Sequence, residues 1–133
     1  MTKRVLILDD NADNRRLLVF ALHARPYEIC EAALGQDVIA MLDARTAPFD
    51  LALLDVELPD GDGLALVSRL REHSPEIVLI MLSANDGVDL VQQACDLGAN
   101  AYVVKPFNLP KLLEFIQAFE DETIRADTAL QRF

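Results

Sequence analysis

The chain contains no tryptophan, only two cysteines, and 12 basic side chains against 22 acidic ones. Each shortage excludes something. Cys30 and Cys95 match no metal-ligand or redox spacing, and two thiols make no disulfide framework. Both read as small buried apolar residues in a reducing compartment. A net charge of −10 leaves no basic stripe to neutralise phosphates, so direct nucleic-acid binding by this domain is not expected. The longest apolar run, IVLIML at 77–82, falls far short of the roughly 20 residues of a membrane-spanning helix. The opening MTKR leads straight into VLIL, without the long apolar region or small-residue cleavage site of a signal peptide. A cytoplasmic protein with no membrane contact is expected. No GK[ST] follows a glycine spacing, so there is no P-loop, and neither an internal repeat nor a long linker is present.

What is there points to one domain. The 133 residues, 52% apolar and 26% charged, can bury a real core. VLIL (5–8), LALL (51–54), IVLIML (77–82) and AYVV (101–104) are continuous rather than alternating, which predicts strands buried on both faces; a weaker strand is expected at YEICEA, 27–32. Between them, Leu17, Leu18, Ala21 and Leu22 share a helical face, as do Val38, Ile39 and Leu42, then Leu64, Val67 and Leu70. Val91, Ala94 and Cys95 repeat the pattern, and Leu112, Leu113, Ile116 and Phe119 close it. Pro26, Pro48, Pro75, Gly98 and Pro110 fall at the expected element boundaries. Strand then helix, five times, predicts an α/β domain with a parallel sheet, helices on both faces and right-handed crossovers.

Ligands of such sheets bind beyond the carboxyl ends of the strands. The first strand ends in Asp9 and Asp10, the third in Asp55, the fourth in Ser83 and the fifth in Lys105, followed by Pro106. Singly, each of these acids is more often a helix cap or turn residue, and a lone lysine is more often solvated. Their coincidence on one sheet edge changes the reading. Three carboxylates without compensation raise one another's pKa, so they call for a cation. With no His or Cys beside them they suit a hard ion such as Mg²⁺. A carboxylate between such an ion and Lys105 is arranged to hold a dianion, which points to phosphoryl transfer.

VLILDDN (5–11), LLDVELPDGDG (53–63), MLSA (81–84) and YVVKPF (102–107) resemble, in that order and spacing, the response-regulator receiver domains of two-component signalling. The resemblance covers about residues 3–120. It implies a flavodoxin-like doubly wound (βα)5 sandwich with a five-stranded parallel sheet in the order 2-1-3-4-5. It further implies that Asp55 accepts a phosphoryl group from the phosphohistidine of a sensor histidine kinase or phosphotransfer protein. Asp10 and Asp55 would be direct Mg²⁺ ligands, Asp9 would act through water, and Glu57 would contribute its backbone carbonyl. Lys105 would pair with the acceptor and then with the phosphoryl oxygens, and Ser83 would shift to hydrogen-bond them. Tyr102 would be the switch aromatic, turning inward as Ser83 moves, and the Lys105–Pro106 bond would be cis. Glu57 and Asn85 stand where the family tunes the lifetime of the acyl phosphate. The loop PDGDG is expected to form a tight, flexible wall on the metal side.

On this reading the protein is a switch that assists its own phosphorylation and dephosphorylation rather than an enzyme. It would change the face built from the fourth helix, fifth strand and fifth helix, for a downstream output domain, a protein partner or a phosphorylation-dependent homodimer. Two rivals are weaker. A haloacid-dehalogenase-type phosphohydrolase wants a second Asp two residues after the first, where Glu57 stands, and a cap domain. A phosphorylation-independent interaction module typically lacks part of the acidic pair, acceptor and lysine set, all of which is present. The receiver is expected over 1–121, with 122–133 a helical extension or a frayed tail or linker; Ala126, Ala129, Leu130 and Phe133 could continue an apolar stripe. MTKR reads as a start, favouring a receiver at the head of its protein or a stand-alone one. His23 and His73 read as ordinary helix-surface residues.

Overall fold

A computed structural model describes residues 2–133; Met1, the first residue of the MTKR start, lies outside them. Six parallel strands form one sheet: β1 (Arg4–Leu8), β2 (Glu28–Ala32), β3 (Leu51–Asp55), β4 (Val78–Ser83), β5 (Ala101–Val104) and β6 (Gln131–Arg132), in the order β2-β1-β3-β4-β5-β6. The helices are α1 (Ala12–Leu22), α2 (Gly35–Asp43), α3 (Val67–His73), α4 (Val88–Asp96) and α5 (Leu109–Glu120).

The continuous apolar runs have a simple cause. Along β1, Leu6 and Leu8 face the core beneath α2, α3 and α4, while Val5 and Ile7 face the core beneath α1 and α5. All six residues of β4 are buried for the same reason. Asn11 starts α1 by accepting a hydrogen bond from the Asn14 amide, and Asn108 does the same for α5 through Lys111, with Pro110 in the first turn. Helix α4 is the least anchored: only Ala94 is buried, and Val88 is 76% exposed.

Four expectations need correction. The predicted five-strand order is present, but a sixth strand extends it, because residues 131–132 pair with β5 instead of continuing α5 as a helix. Cys95 is exposed and Cys30 half-buried rather than in the core, since one lies on the outer side of α4 and the other on the edge strand β2. Leu17 is also exposed; the buried face of α1 is carried by Leu18, Ala21 and Leu22. His23 is exposed as expected, but His73 is half-buried and fastens the end of α3. Its Nδ1 lies 2.7 Å from Ser74 Oγ and its Nε2 2.7 Å from the Thr46 carbonyl.

Candidate functional site

The carboxyl ends of β1, β3, β4 and β5 carry the site. Asp55 closes β3 and is 2% exposed, held there by the buried residues before it. Its Oδ1 accepts from the Glu57 amide at 3.0 Å, and its Oδ2 accepts from Lys105 Nζ at 2.9 Å. Asp9 follows β1 and is fully buried; its Oδ1 accepts from the Asn11 amide at 2.9 Å. Its Oδ2 lies 3.2 Å from Lys105 Nζ, within ion-pair range, yet it is a buried side-chain oxygen with no hydrogen-bond partner. Asp10 is exposed at the rim. Carboxylate oxygens of Asp9, Asp10 and Asp55 lie within 4.8 Å of one another.

The charge balance follows from burial. Desolvation pushes the Asp55 carboxyl up to about 6, and the charge of Asp9 adds to this. The hydrogen bond and charge of Lys105 and the Glu57 amide pull the other way without winning. For Lys105, burial alone would lower the pKa, but its two carboxylate partners outweigh it and raise the ammonium above its ordinary value. An all-oxygen donor set, one buried oxygen of which makes an ion pair but no hydrogen bond, fits a hard divalent cation.

Ser83 ends β4, fully buried, but is not bonded to Asp55. Its Oγ donates to Glu57 Oε1 at 2.5 Å and accepts from the Asn85 amide at 2.9 Å. Tyr102 is already inside: it is fully buried and its hydroxyl donates to the Asn85 carbonyl at 2.5 Å. Burial raises its pKa. The Lys105–Pro106 bond is cis.

Two positions escaped the sequence reading. The PDGDG loop is not a flexible wall but a tethered hairpin, Glu57–Leu58 pairing antiparallel with Gly61–Asp62. Asp60 ties it down, its two carboxylate oxygens accepting from the Gly35 and Gln36 amides, both at 3.0 Å. These bonds hold its carboxyl below the usual range. The signal available was Leu34, which sits at the N-cap of α2 and has no side-chain oxygen to cap with. Gly63 is the second: a Cβ there would lie 2.0 Å from the Asp55 carbonyl oxygen, so only glycine lets the chain return against the backbone of Asp55.

Residues 5–117 match the family model of the response regulator receiver domain. The chain belongs to that family. Relatives of this receiver domain include the swarming motility regulation protein RssB of Serratia marcescens, 34% identical over 86% of this chain and 51% of that protein. The transcriptional regulatory protein KdpE of Staphylococcus aureus is 36% identical over 90% of this chain and 51% of that protein. The receiver thus spans about half the length of these curated relatives. A CheY-like receiver domain protein from Methanospirillum hungatei superimposes with a TM-score of 0.80, at 31% identity, over 92% of this chain and 96% of that one. The chemotaxis response regulator CheY4 of Vibrio cholerae gives 0.76 at 29% identity, over 90% and 99%. The fold is therefore the CheY-like receiver fold of two-component response regulators. Among the described residues no helix is long and apolar enough to cross a membrane.

Proposed function

We propose that this receiver domain is a Mg²⁺-dependent phosphoacceptor and that Asp55 takes the phosphoryl group. The observation that carries the reading is the placement of Asp55. It is buried, with Lys105 Nζ at 2.9 Å on one oxygen and the Asp9 and Asp10 carboxylates within 4.8 Å. That is an acceptor between one fixed cation and a place for a second.

An Asp55 carboxylate oxygen attacks phosphorus, the bond from phosphorus to the imidazole nitrogen of a phosphohistidine breaks, and the electron pair leaves with the imidazole. Mg²⁺, held by Asp10, Asp55 and the Glu57 backbone carbonyl with Asp9 through water, would neutralise charge on the transferring oxygens. Lys105, now paired with Asp55 Oδ2, moves to a phosphoryl oxygen. Ser83 has a single hydroxyl proton and gives it to Glu57; donating it to the phosphoryl group means leaving Glu57. A phosphoryl dianion close to that carboxylate disfavours the old partner by like-charge repulsion. Tyr102 is already buried, so on this reading the switch starts with Ser83 and the Asn85 segment rather than with an aromatic drawn in from solvent. The output is a changed α4-β5-α5 face, read by an output domain or partner protein, or by a second copy. A sensor histidine kinase or phosphotransfer protein supplies the phosphoryl group, and attack of water on the acyl phosphate ends the signal.

The test is intact mass after incubation with Mg²⁺ and acetyl phosphate, in the parent, in Asp55→Asn, and with EDTA. A gain of one phosphoryl group in the parent alone, and only with Mg²⁺, is expected. Persistent absence of the adduct, even in rapidly quenched samples, would defeat the reading and favour an interaction module that works without phosphate.

A further inference from the structure

The tail is the one part of the chain that the receiver pattern does not account for. After α5 the chain passes under the amino end of the sheet, where Ile124 is buried and the Asn100 side-chain amide reaches the carbonyls of Arg125, Ala126 and Thr128 at 3.0, 3.1 and 2.7 Å. It then runs up the outer edge of β5. The Gln131 amide donates to the Asn100 carbonyl at 3.0 Å, the Phe133 amide to the Tyr102 carbonyl at 2.9 Å, and the Val104 amide to the Phe133 carbonyl at 2.9 Å. These are the groups an exposed edge strand otherwise offers to any other chain.

The side chains follow the two-residue period of a strand. Leu130 packs on the core beneath α4, and Arg132, on the same side, donates to the Asp86 carbonyl at 3.0 Å. Phe133 turns to the other side and meets the Phe115 ring of α5, with centroids 6.0 Å apart. Residues 130–133 therefore grip both faces of the sheet edge, and backbone pairing supplies the rest. This is the chemistry of strand addition, with alternate side chains giving the selectivity.

We propose that the outer edge of β5 is a strand-acceptor site whose occupant is the chain's own segment Leu130–Phe133, held in cis. Any partner that reads β5 between α4 and α5 must first displace that segment. The segment also pairs with Tyr102 and, through Arg132, touches the residue that follows Asn85. Its docking and the position of the loop after β4 are thus linked by direct contacts. The assignment goes beyond the phosphoacceptor reading and does not depend on it.

The test compares the parent with a 133-residue Gln131→Pro/Phe133→Asp variant. This variant removes one edge hydrogen bond and the ring contact without touching the acceptor site. Hydrogen exchange is followed at the Val104 amide, with Leu6 and Leu53 as reporters of the intact sheet. A synthetic peptide of residues 125–133, RADTALQRF, is the probe. The parent should protect Val104 and ignore the peptide. In the variant Val104 should exchange at least tenfold faster, and the peptide should bind and restore protection. Unchanged protection of Val104 in the variant, or failure of the peptide to bind it, would overturn the proposal. So would equal binding to both proteins, or Val104 protection in the parent that falls on dilution, which would place a second copy's tail on the edge. If Leu6 and Leu53 also lose protection in the double variant, Phe133→Ala replaces it with the same readouts. No step uses phosphate, so failure here leaves the reading of Asp55 untouched.

Discussion

At the amino end of the strands Asn100 and Ser74 are as buried as Asp9 and Asp55 are at the carboxyl end, yet the four groups are treated differently. Asn100 accepts from the Leu79 amide at 2.9 Å and shares its two side-chain amide protons among three carbonyls. Ser74 accepts from the Phe49 amide at 2.9 Å and meets His73. Among the described residues, no buried side-chain polar atom at that end lacks a hydrogen bond. At the other end Asp9 Oδ2 has no hydrogen-bond partner, Asp55 is held near pH 6, and Ser83 spends its proton on Glu57. Equal burial with unequal satisfaction separates a stabilising end of the sheet from a working end. The working end carries its polar groups at a cost to stability that a ligand can relieve.

The largest expected effect lies at the satisfied end. Asn100→Ala orphans the Leu79 amide and frees the turn that carries the tail. It should lower unfolding stability by about 3 kcal/mol, measured by denaturant titration. An unchanged midpoint would break the comparison. Next, Mg²⁺ should stabilise the parent by about 2.7 kcal/mol at a hundredfold excess over its Kd. The gain should vanish in Asp9→Ala or on adding EDTA. Equal stabilisation of that variant would mean that Asp9 takes no part in holding the ion, directly or through water.

The Asp55 carboxyl gives a smaller effect of opposite sign to an ordinary ion pair. Its folded pKa, about 6, lies above the 3.8 of a free side chain, so the folded metal-free protein binds the proton more tightly. Above pH 6 both states are ionised and the fold bears the cost; as pH falls toward 4 that cost is relieved. Stability of the metal-free protein should therefore rise by about 1–2 kcal/mol from this group between pH 7 and pH 4, after allowing for solvent screening at the open edge. Asp55→Asn should show the gain already at pH 8, and its pH profile should lack this slope. The smallest effect is expected from Asp60→Ala, a modest fall in melting temperature as the Gly35 and Gln36 amides lose their cap.

Much of the working end was legible because it is written locally. An apolar run forces its terminal residue to the sheet edge, so Asp9, Asp55, Ser83 and Lys105 could be placed together from strand ends alone. The satisfied end was not legible. Asn100 matters through carbonyls 25 to 28 residues away; at the other end of the strands Asp60 was equally hidden, acting through amides 24 and 25 residues away, with the uncapped Leu34 its one trace. Neither reading of the tail, helical extension or frayed end, named the strand it forms, for a related reason. Ala126, Ala129, Leu130 and Phe133 fit a helical stripe, but the unpaired edge of β5 offered three backbone bonds that a longer α5 could not use. Cys95 was misplaced because a short amphipathic pattern does not fix the width of the buried stripe, and on α4 that stripe is carried by Ala94 with Leu90 and Val91 half-buried beside it.

That narrow footing sets a kinetic consequence. A helix with one fully buried residue, Ala94, and two half-buried ones, Leu90 and Val91, opens for less free energy than the global unfolding of a sheet whose central strands are wholly buried. Opening of α4 on the microsecond-to-millisecond scale while β3 and β4 stay shut is the expected outcome, to be read by relaxation dispersion. On the proposed reading, rearranging the hydrogen bonds at Ser83 and Asn85 would bias which arrangement of α4 is populated.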